Sequence, residues 1–327
     1  MPETTWLVTG GAGYIGSHVV RTLLATGRRV VVLDDLSSGH RAFVDPAATF
    51  VEGSVTDVAA ADAALTHGGG AVDGVVHLAG YKYAGVSVDR PLHTYEQNVL
   101  GMHLLLARML EHGVHRCVFS SSAACYGTPD VDLVTEDLPT RPESPYGETK
   151  LIGEWLLRDL VRVTPLRATS LRYFNVVGSG YPDLYDTSPH NLFPRVLKAL
   201  TGGDVPMVFG VDYPTPDGSC VRDYVHVQDL AEAHVGAAQA LEDGVELEPV
   251  YNLGSGEGVS VLEIMGAIRD VTGIAFDPVI RERRPGDPAR IVASGERAAR
   301  DLGWAMRHDL HDMVASAWRA WQVSQPS

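Results

Sequence analysis

The stretch "VTGGAGYIGSHVV" (residues 8–20) sets Gly10, Gly13 and Gly16 three apart, between a β-branched run and an apolar-periodic one. A strand that turns into a helix here needs glycine for three reasons: a tight reversal, close approach of a pyrophosphate to the backbone amides, and packing of the helix on the sheet. The helix N-terminus adds partial positive charge. Asp34 closes the next β-rich run, "RVVVLD" (29–34), where a carboxylate can accept hydrogen bonds from adenosine ribose hydroxyls. These features predict a dinucleotide site. Asp34 and Asp35 would repel a 2′-phosphate, so NAD is expected rather than NADP.

Working outward, strands are predicted at 5–10, 29–34, 49–53, 73–80, 116–122 and 168–174, with helices near 14–27, 93–112 and 146–163. Strand–helix alternation with strands apolar at nearly every position points to an α/β fold, a doubly wound, Rossmann-like parallel sheet covered on both faces. Beyond residue 176 the alternation fades into "NVVGSGYPDLYDTSPHNLFP" (175–194) and proline-rich basic segments. Long irregular stretches in compact proteins are usually functional. The expected division is a dinucleotide-binding domain over 1–175, with a returning segment near 220–255 that includes the strand-like "PVYNLGSG" (249–256), and a smaller, interrupted α/β substrate-binding lobe over 176–327.

Composition excludes more than it identifies. The chain has 327 residues and a formal net charge of -15, which disfavours nonspecific binding to nucleic acid or anionic membrane. Its most apolar helical stretch, "LLLARML" (104–110), is too short and too charged to span a bilayer. With no leader-like segment before "TWLVTG", a cytoplasmic protein is expected. Cys117, Cys125 and Cys220 are odd in number and widely spaced, suggesting neither disulfides nor a metal site.

In "SPYGETK" (144–150), Pro145 can set a first helical turn, and Tyr146 and Lys150 then share one face. Lysine occurs only at 82, 150 and 198. Making a phenol basic near neutrality takes ~3 pKa units, or ~4 kcal/mol. One ammonium roughly 6 Å away contributes about 3 kcal/mol at an effective dielectric near 20. A second cation is therefore needed, and an oxidised nicotinamide provides one. Ser122, ending the strand in "VFSSSAACYG" (118–127), stands where ligands sit in such sheets and can hydrogen-bond a substrate oxygen.

These motifs, with "VVHLAGYKYAGVSV", "LRYFNVVG", "NLFP", "FGVDYPTPDGSCVRDYVHVQDLAEAH", "YNLGSGEGVSV" and "RRPGDPA", resemble the UDP-glucose 4-epimerase family of the extended short-chain dehydrogenase/reductases over essentially the whole chain. The resemblance implies a homodimeric enzyme in which Tyr146 takes the proton of a sugar 4-hydroxyl while hydride passes to NAD and back, through a 4-keto sugar. Catalysis is assigned to Ser122, Tyr146 and Lys150. On the cofactor side it implies Gly10, Gly13, Tyr14, Ile15 and Gly16 at the pyrophosphate; Asp34, Asp35, Leu36, Ser37, Ser38, Gly39, Ser54 and Val55 at the adenosine; and Leu78, Ala79, Gly80, Tyr81, Lys82, Asn98 and Phe174 toward the nicotinamide. On the UDP-sugar side it implies Lys82, Asn175, Asn191, Leu192, Phe209, Arg222, Arg284 and Asp287, the arginines suiting a diphosphate. Ser54 replaces a frequent aspartate at the adenine, and Ile291 falls near the expected sugar-pocket wall. A dehydratase of the same superfamily would carry an acid pair directly after the serine; here stand Ala123 and Ala124.

Overall fold

The computed structural model describes residues 4–284 and 287–325; Pro285 and Gly286 of "RRPGDPA" and the ends of the expected domain ranges lie outside the described residues. Seven strands form the main sheet: β1 (Thr5–Thr9), β2 (Arg29–Asp34), β3 (Thr49–Glu52), β4 (Gly74–His77), β5 (Arg116–Ser120), β6 (Arg167–Tyr173) and β7 (Val250–Leu253). Their order is β7-β6-β5-β4-β1-β2-β3, every pairing parallel. The expected strand at 249–256 does return to this sheet, beside β6.

Side chains alternate between the faces of each strand, and both faces are covered. On one, Trp6, Val8, Val32, Val76 and Val118 pack with α1 (Tyr14–Ala25) and α5 (Val227–Glu242). On the other, Leu7, Val31, Leu33, Val75 and Phe119 pack with α2 (Val58–Leu65), α3 (Gly101–Glu111) and α4 (Pro145–Val163). Burial on both sides explains why the strands read as continuous apolar runs. The chain progresses in opposite directions from β1, to β2 and β3 on one side and to β4 on the other. Such a reversal opens a crevice at the carboxyl ends of β1 and β4.

Three expected boundaries shift for local reasons. The helix predicted over 93–112 is broken into Pro91–Tyr95, a π turn over Glu96–Leu100, and α3. Apolar periodicity does not reveal one inserted residue. The strand predicted to reach Gly80 stops at His77, because Gly80 (φ +148°) carries the chain away from the sheet. That predicted to reach Ser122 stops at Ser120, since the Ser122 Oγ accepts from the Ala124 amide at 3.1 Å and caps a short 3-10 turn over Ala123–Tyr126.

The second half is built from short pairings. Asn175–Val177 pairs with Tyr224–His226, Met207–Phe209 with Val279–Arg281, and Val221–Arg222 with Val259–Ser260 and Arg290–Ile291. Helices Leu192–Thr201, Val261–Thr272 and Leu310–Ser324 close a separate apolar cluster that includes Phe193, Val208, Ile264 and Met313.

Helix α4 begins as its sequence suggests: the Ser144 hydroxyl accepts from the Gly147 amide at 3.2 Å and Pro145 occupies the first turn. It is fastened to β6 by a buried ion pair, Arg172 Nε to Glu154 Oε1 at 2.8 Å and Nη2 to Oε2 at 2.5 Å, with side chains only 5% and 6% exposed. Ser121 Oγ also donates to Glu154 Oε1, at 2.5 Å. Removing one partner of such a pair strands a buried charge. Glu154→Ala should therefore lose about 3–5 kcal/mol in denaturant unfolding; a loss below about 1 kcal/mol, the scale of an exposed pair, would contradict this.

Candidate active site

At the β1–α1 turn, Gly10 has φ +73°, and a Cβ there would lie 2.8 Å from the Ala79 amide nitrogen. A Cβ on Gly16 would collide with the Gly10 carbonyl. Gly13 caps α1 without any side-chain hydrogen bond, so first-turn amides remain open to an anion. The Tyr14 hydroxyl donates to the Gly178 carbonyl at 2.6 Å. Nearby, His18 Nδ1 donates to the Tyr14 carbonyl at 2.8 Å while Nε2 accepts from the Gly180 amide at 3.0 Å. Burial holds His18 neutral, pushing its pKa down to about 4.

Asp34 accepts from the Ala12 amide at 3.0 Å and the Leu36 amide at 2.9 Å. Burial raises its pKa, while these two hydrogen bonds oppose the rise. The loop folds back on this carboxylate: Leu36 adopts φ +58°, and a Cβ at Gly39 would sit 2.8 Å from Asp34 Oδ1. Leu36 and Gly39 thus shape the loop without bordering the cleft, whereas Asp34, Asp35, Ser37, Ser38, Ser54 and Val55 border it.

The cleft has a volume of about 1200 Å³ and runs from this turn, past the ends of β1 and β4, into the second half of the chain. Gly10, Gly13, Tyr14, Ile15, Gly16, Leu78, Ala79, Gly80, Tyr81, Lys82, Tyr146, Lys150 and Phe174 line it. So do Asn175, Asn191, Leu192, Phe209, Arg222, Arg284 and Asp287. Arg222 donates to the carbonyls of Val221 and Pro288 at 2.9 and 2.8 Å and faces Asp287 at 3.5 Å. Arg284 stacks on Phe209, 3.9 Å from the ring centre. Asn175 donates to the Asp223 carbonyl at 3.0 Å, and Asn191 donates to Asp186 at 2.7 Å.

The surface lining the cleft does not include three further expected residues. Asn98 does not line the cleft: its amide is engaged by Tyr81 and Thr149. Ser122, half-buried, is hydrogen-bonded to the Tyr146 phenol and caps the 3-10 turn. Ile291 pairs with Arg222 in a strand instead of bordering the cleft. Sequence reasoning also missed Tyr83, Tyr173, Asp186, Arg195 and Tyr224, all lining residues. Asp186 was signalled only by lying in the irregular stretch at 175–194.

Tyr146 and Lys150 share one face of α4. The Lys150 ammonium donates to the Ser120 carbonyl at 2.8 Å and lies 5.8 Å from the Tyr146 ring centre. Burial lowers its pKa to about 8, against the raising effects of Cys125 and Glu154. The phenol of Tyr146 moves the other way. Burial pushes it well above the ordinary tyrosine value, Tyr173 adds to the rise, and the Ser122 hydrogen bond opposes it. The chain alone therefore holds Tyr146 as a neutral phenol, with the Lys150 ammonium on the same helix face.

Comparison with known proteins agrees with this geometry. The NAD dependent epimerase/dehydratase family profile matches residues 6–254. The chain belongs to that family. Among curated members of this epimerase/dehydratase family, UDP-glucose 4-epimerase of Corynebacterium glutamicum is 44% identical over 316 residues, covering 95% of this chain and 94% of its own. That of Streptococcus mutans is 44% identical over 327 residues, covering 98% and 97%. A crystal structure of a UDP-glucose 4-epimerase superposes with a TM-score of 0.94 at 41% identity, covering 98% of both chains. The Brucella ovis enzyme in complex with NAD gives a TM-score of 0.91 at 39% identity, covering 96% and 97%.

For an epimerase/dehydratase, the residues after the serine bear on the chemistry. Ala123 and Ala124, in the 3-10 turn, offer no side-chain acid or base for eliminating water. A raised phenol pKa has a direct spectroscopic consequence. In the chain without added ligands, the alkaline difference titration between wild type and Tyr146→Phe should show no tyrosinate below about pH 10, the ordinary tyrosine value. A tyrosinate signal near pH 8 that vanishes in Tyr146→Phe would refute it.

Proposed function

We propose that this protein interconverts UDP-glucose and UDP-galactose by NAD-dependent epimerisation at carbon 4. The observation that carries this reading is one continuous cleft joining the glycine turn, the Tyr146–Lys150 face and the Arg222–Arg284 region. The glycine turn fits a dinucleotide: the absence of side chains at Gly10 and Gly16 lets the turn and α1 pack tightly on neighbouring backbone, and α1 offers uncapped amides there. Gly10, Gly13, Tyr14, Ile15 and Gly16 would hold the pyrophosphate and Asp34 the adenosine ribose. Ser54 has a hydroxyl engaged with Thr56 at 2.9 Å and offers adenine a weaker anchor than a carboxylate. Arg222 and Arg284 would take the UDP diphosphate.

Bound NAD+ supplies a positive nicotinamide ring and a reversible acceptor for the carbon-4 hydride. Tyr146 removes the proton of the 4-hydroxyl and later returns it. Because burial raises its phenol, the charge support must exceed the ~4 kcal/mol that an ordinary tyrosine requires. A lysine ammonium roughly 6 Å from a phenolate contributes about 3 kcal/mol, so Tyr146 becomes basic only with a second cation in the cleft. Ser122 hydrogen-bonds the phenol and lowers its pKa.

The same reading treats residues 1–175 plus the return near 220–255 as the dinucleotide domain and 176–327 as mainly the substrate lobe. It includes a cytoplasmic homodimer. Leu92, Leu100 and Trp155 are 85%, 43% and 46% exposed on the helices flanking α3 and on α4, where burial against a second copy would remove apolar surface from water. No helix among the described residues is long and apolar enough to cross a membrane.

Incubation with NAD+ and UDP-glucose, UDP-galactose, UDP-N-acetylglucosamine or UDP-glucuronate, followed by chromatography, tests the reading. UDP-glucose and UDP-galactose should converge on one ratio from either side; no interconversion of any would sink it. Tyr146→Phe should lower turnover by about 10²–10⁴-fold, the usual worth of general acid–base catalysis, while UDP-sugar binding persists.

A further inference from the structure

Asn98 sits in the π turn over Glu96–Leu100, buried beneath the cleft wall. π turns are rare and often occur at functional sites. Its Oδ1 accepts from the Tyr81 amide at 2.6 Å. Its Nδ2 donates to the Tyr81 carbonyl at 3.0 Å and to Thr149 Oγ1 at 2.9 Å. Both amide hydrogens are thereby used. Thr149, 1% exposed, donates its single hydroxyl hydrogen to the Tyr146 carbonyl at 2.7 Å.

These bonds form a continuous chain, Tyr81–Asn98–Thr149–Tyr146. One end is the wall segment Leu78–Tyr83, and the other is the residue proposed as the base. Gly80 makes the approach possible, since a Cβ there would lie 2.7 Å from Asn98 Oδ1. A buried hydroxyl costs free energy unless hydrogen-bonded, and valine would fill the Thr149 site with nearly the same shape. The hydroxyl therefore marks the bridge as the distinguishing feature of that site.

We infer that Thr149 and Asn98 are positioning residues that fix Tyr146 against the Gly80–Lys82 wall, setting the phenol's place relative to the cofactor and sugar. This inference rests on the epimerase reading and deepens it. Asn98 acts through its bonds to Tyr81 and Thr149. Losing the bridge leaves Tyr146 and Lys150 intact but lets the wall and the base move independently, and a misplacement near 1 Å can cost about 10²-fold in rate.

The test compares wild type, Thr149→Val and Thr149→Ser. In the ligand-free protein, hydrogen exchange should be faster at the Tyr81 amide in Thr149→Val, with wild-type protection elsewhere and after Thr149→Ser. With UDP-galactose and NAD+, Thr149→Val should lower kcat by about 10- to 100-fold. Its KM should stay within about threefold, the pattern of a lost transition-state interaction, and Thr149→Ser should recover most of the rate. Wild-type kcat and exchange in Thr149→Val would overturn the bridge, as would equal impairment in Thr149→Ser or a uniform loss of protection with a lowered Tm. A wild-type protein that converts no UDP-hexose would overturn the epimerase reading and this inference together; an active wild type matched by Thr149→Val overturns only the bridge.

Discussion

The contact on which the molecule depends is that of Gly16 with the carbonyl of Gly10, too close for any side chain. It seats α1 directly against the end of β1, aims the helix amides into the crevice, and lets β2 follow alongside β1 with Asp34 at its end. Because β4 lies on the other side of β1, the Leu78–Lys82 segment leaves the sheet beside the same turn. The cleft is the space that this arrangement leaves.

A second constraint is electrostatic. The chain carries a net charge of -15, yet Lys82, Arg195, Arg222 and Arg284 all border one cleft. Negative charge over the remaining surface discourages large polyanions, while concave clusters of guanidinium groups still suit a compact diphosphate. Asp34, Asp35, Asp186, Asp204 and Asp287 border the cleft too, so its lining is close to charge balance while the molecule as a whole is negative, which separates small nucleotide ligands from nucleic acid.

Legibility in the sequence followed the range of the interactions. The seven strands, the glycine turn, Asp34 and the Tyr146–Lys150 face are encoded by neighbours in the chain: β-branched runs, a fixed glycine spacing, a helical step of four. The π turn at 96–100 runs into a close approach between distant segments, where a Cβ on Gly101 would meet Val55 at 2.7 Å. Asn98 could be singled out by resemblance but given its structural partners only by the fold. Asp186 stood in a segment without periodicity and Arg195 on a short amphipathic helix, so nothing local distinguished them from solvated charges. The direction of the Tyr146 shift was also hidden, because it comes from desolvation by the surrounding chain.

The opposite shifts of Tyr146 and Lys150 have a further consequence. Above about pH 8 the amine of Lys150 is mainly neutral, and so is the raised phenol. Phenol with amine and phenolate with ammonium contain the same number of protons, so they are tautomers of one unit. Conversion between them exchanges nothing with solvent. In that range the balance is governed by the electric field within the cleft and is independent of bulk pH, so a ligand's charge alone can relocate the proton.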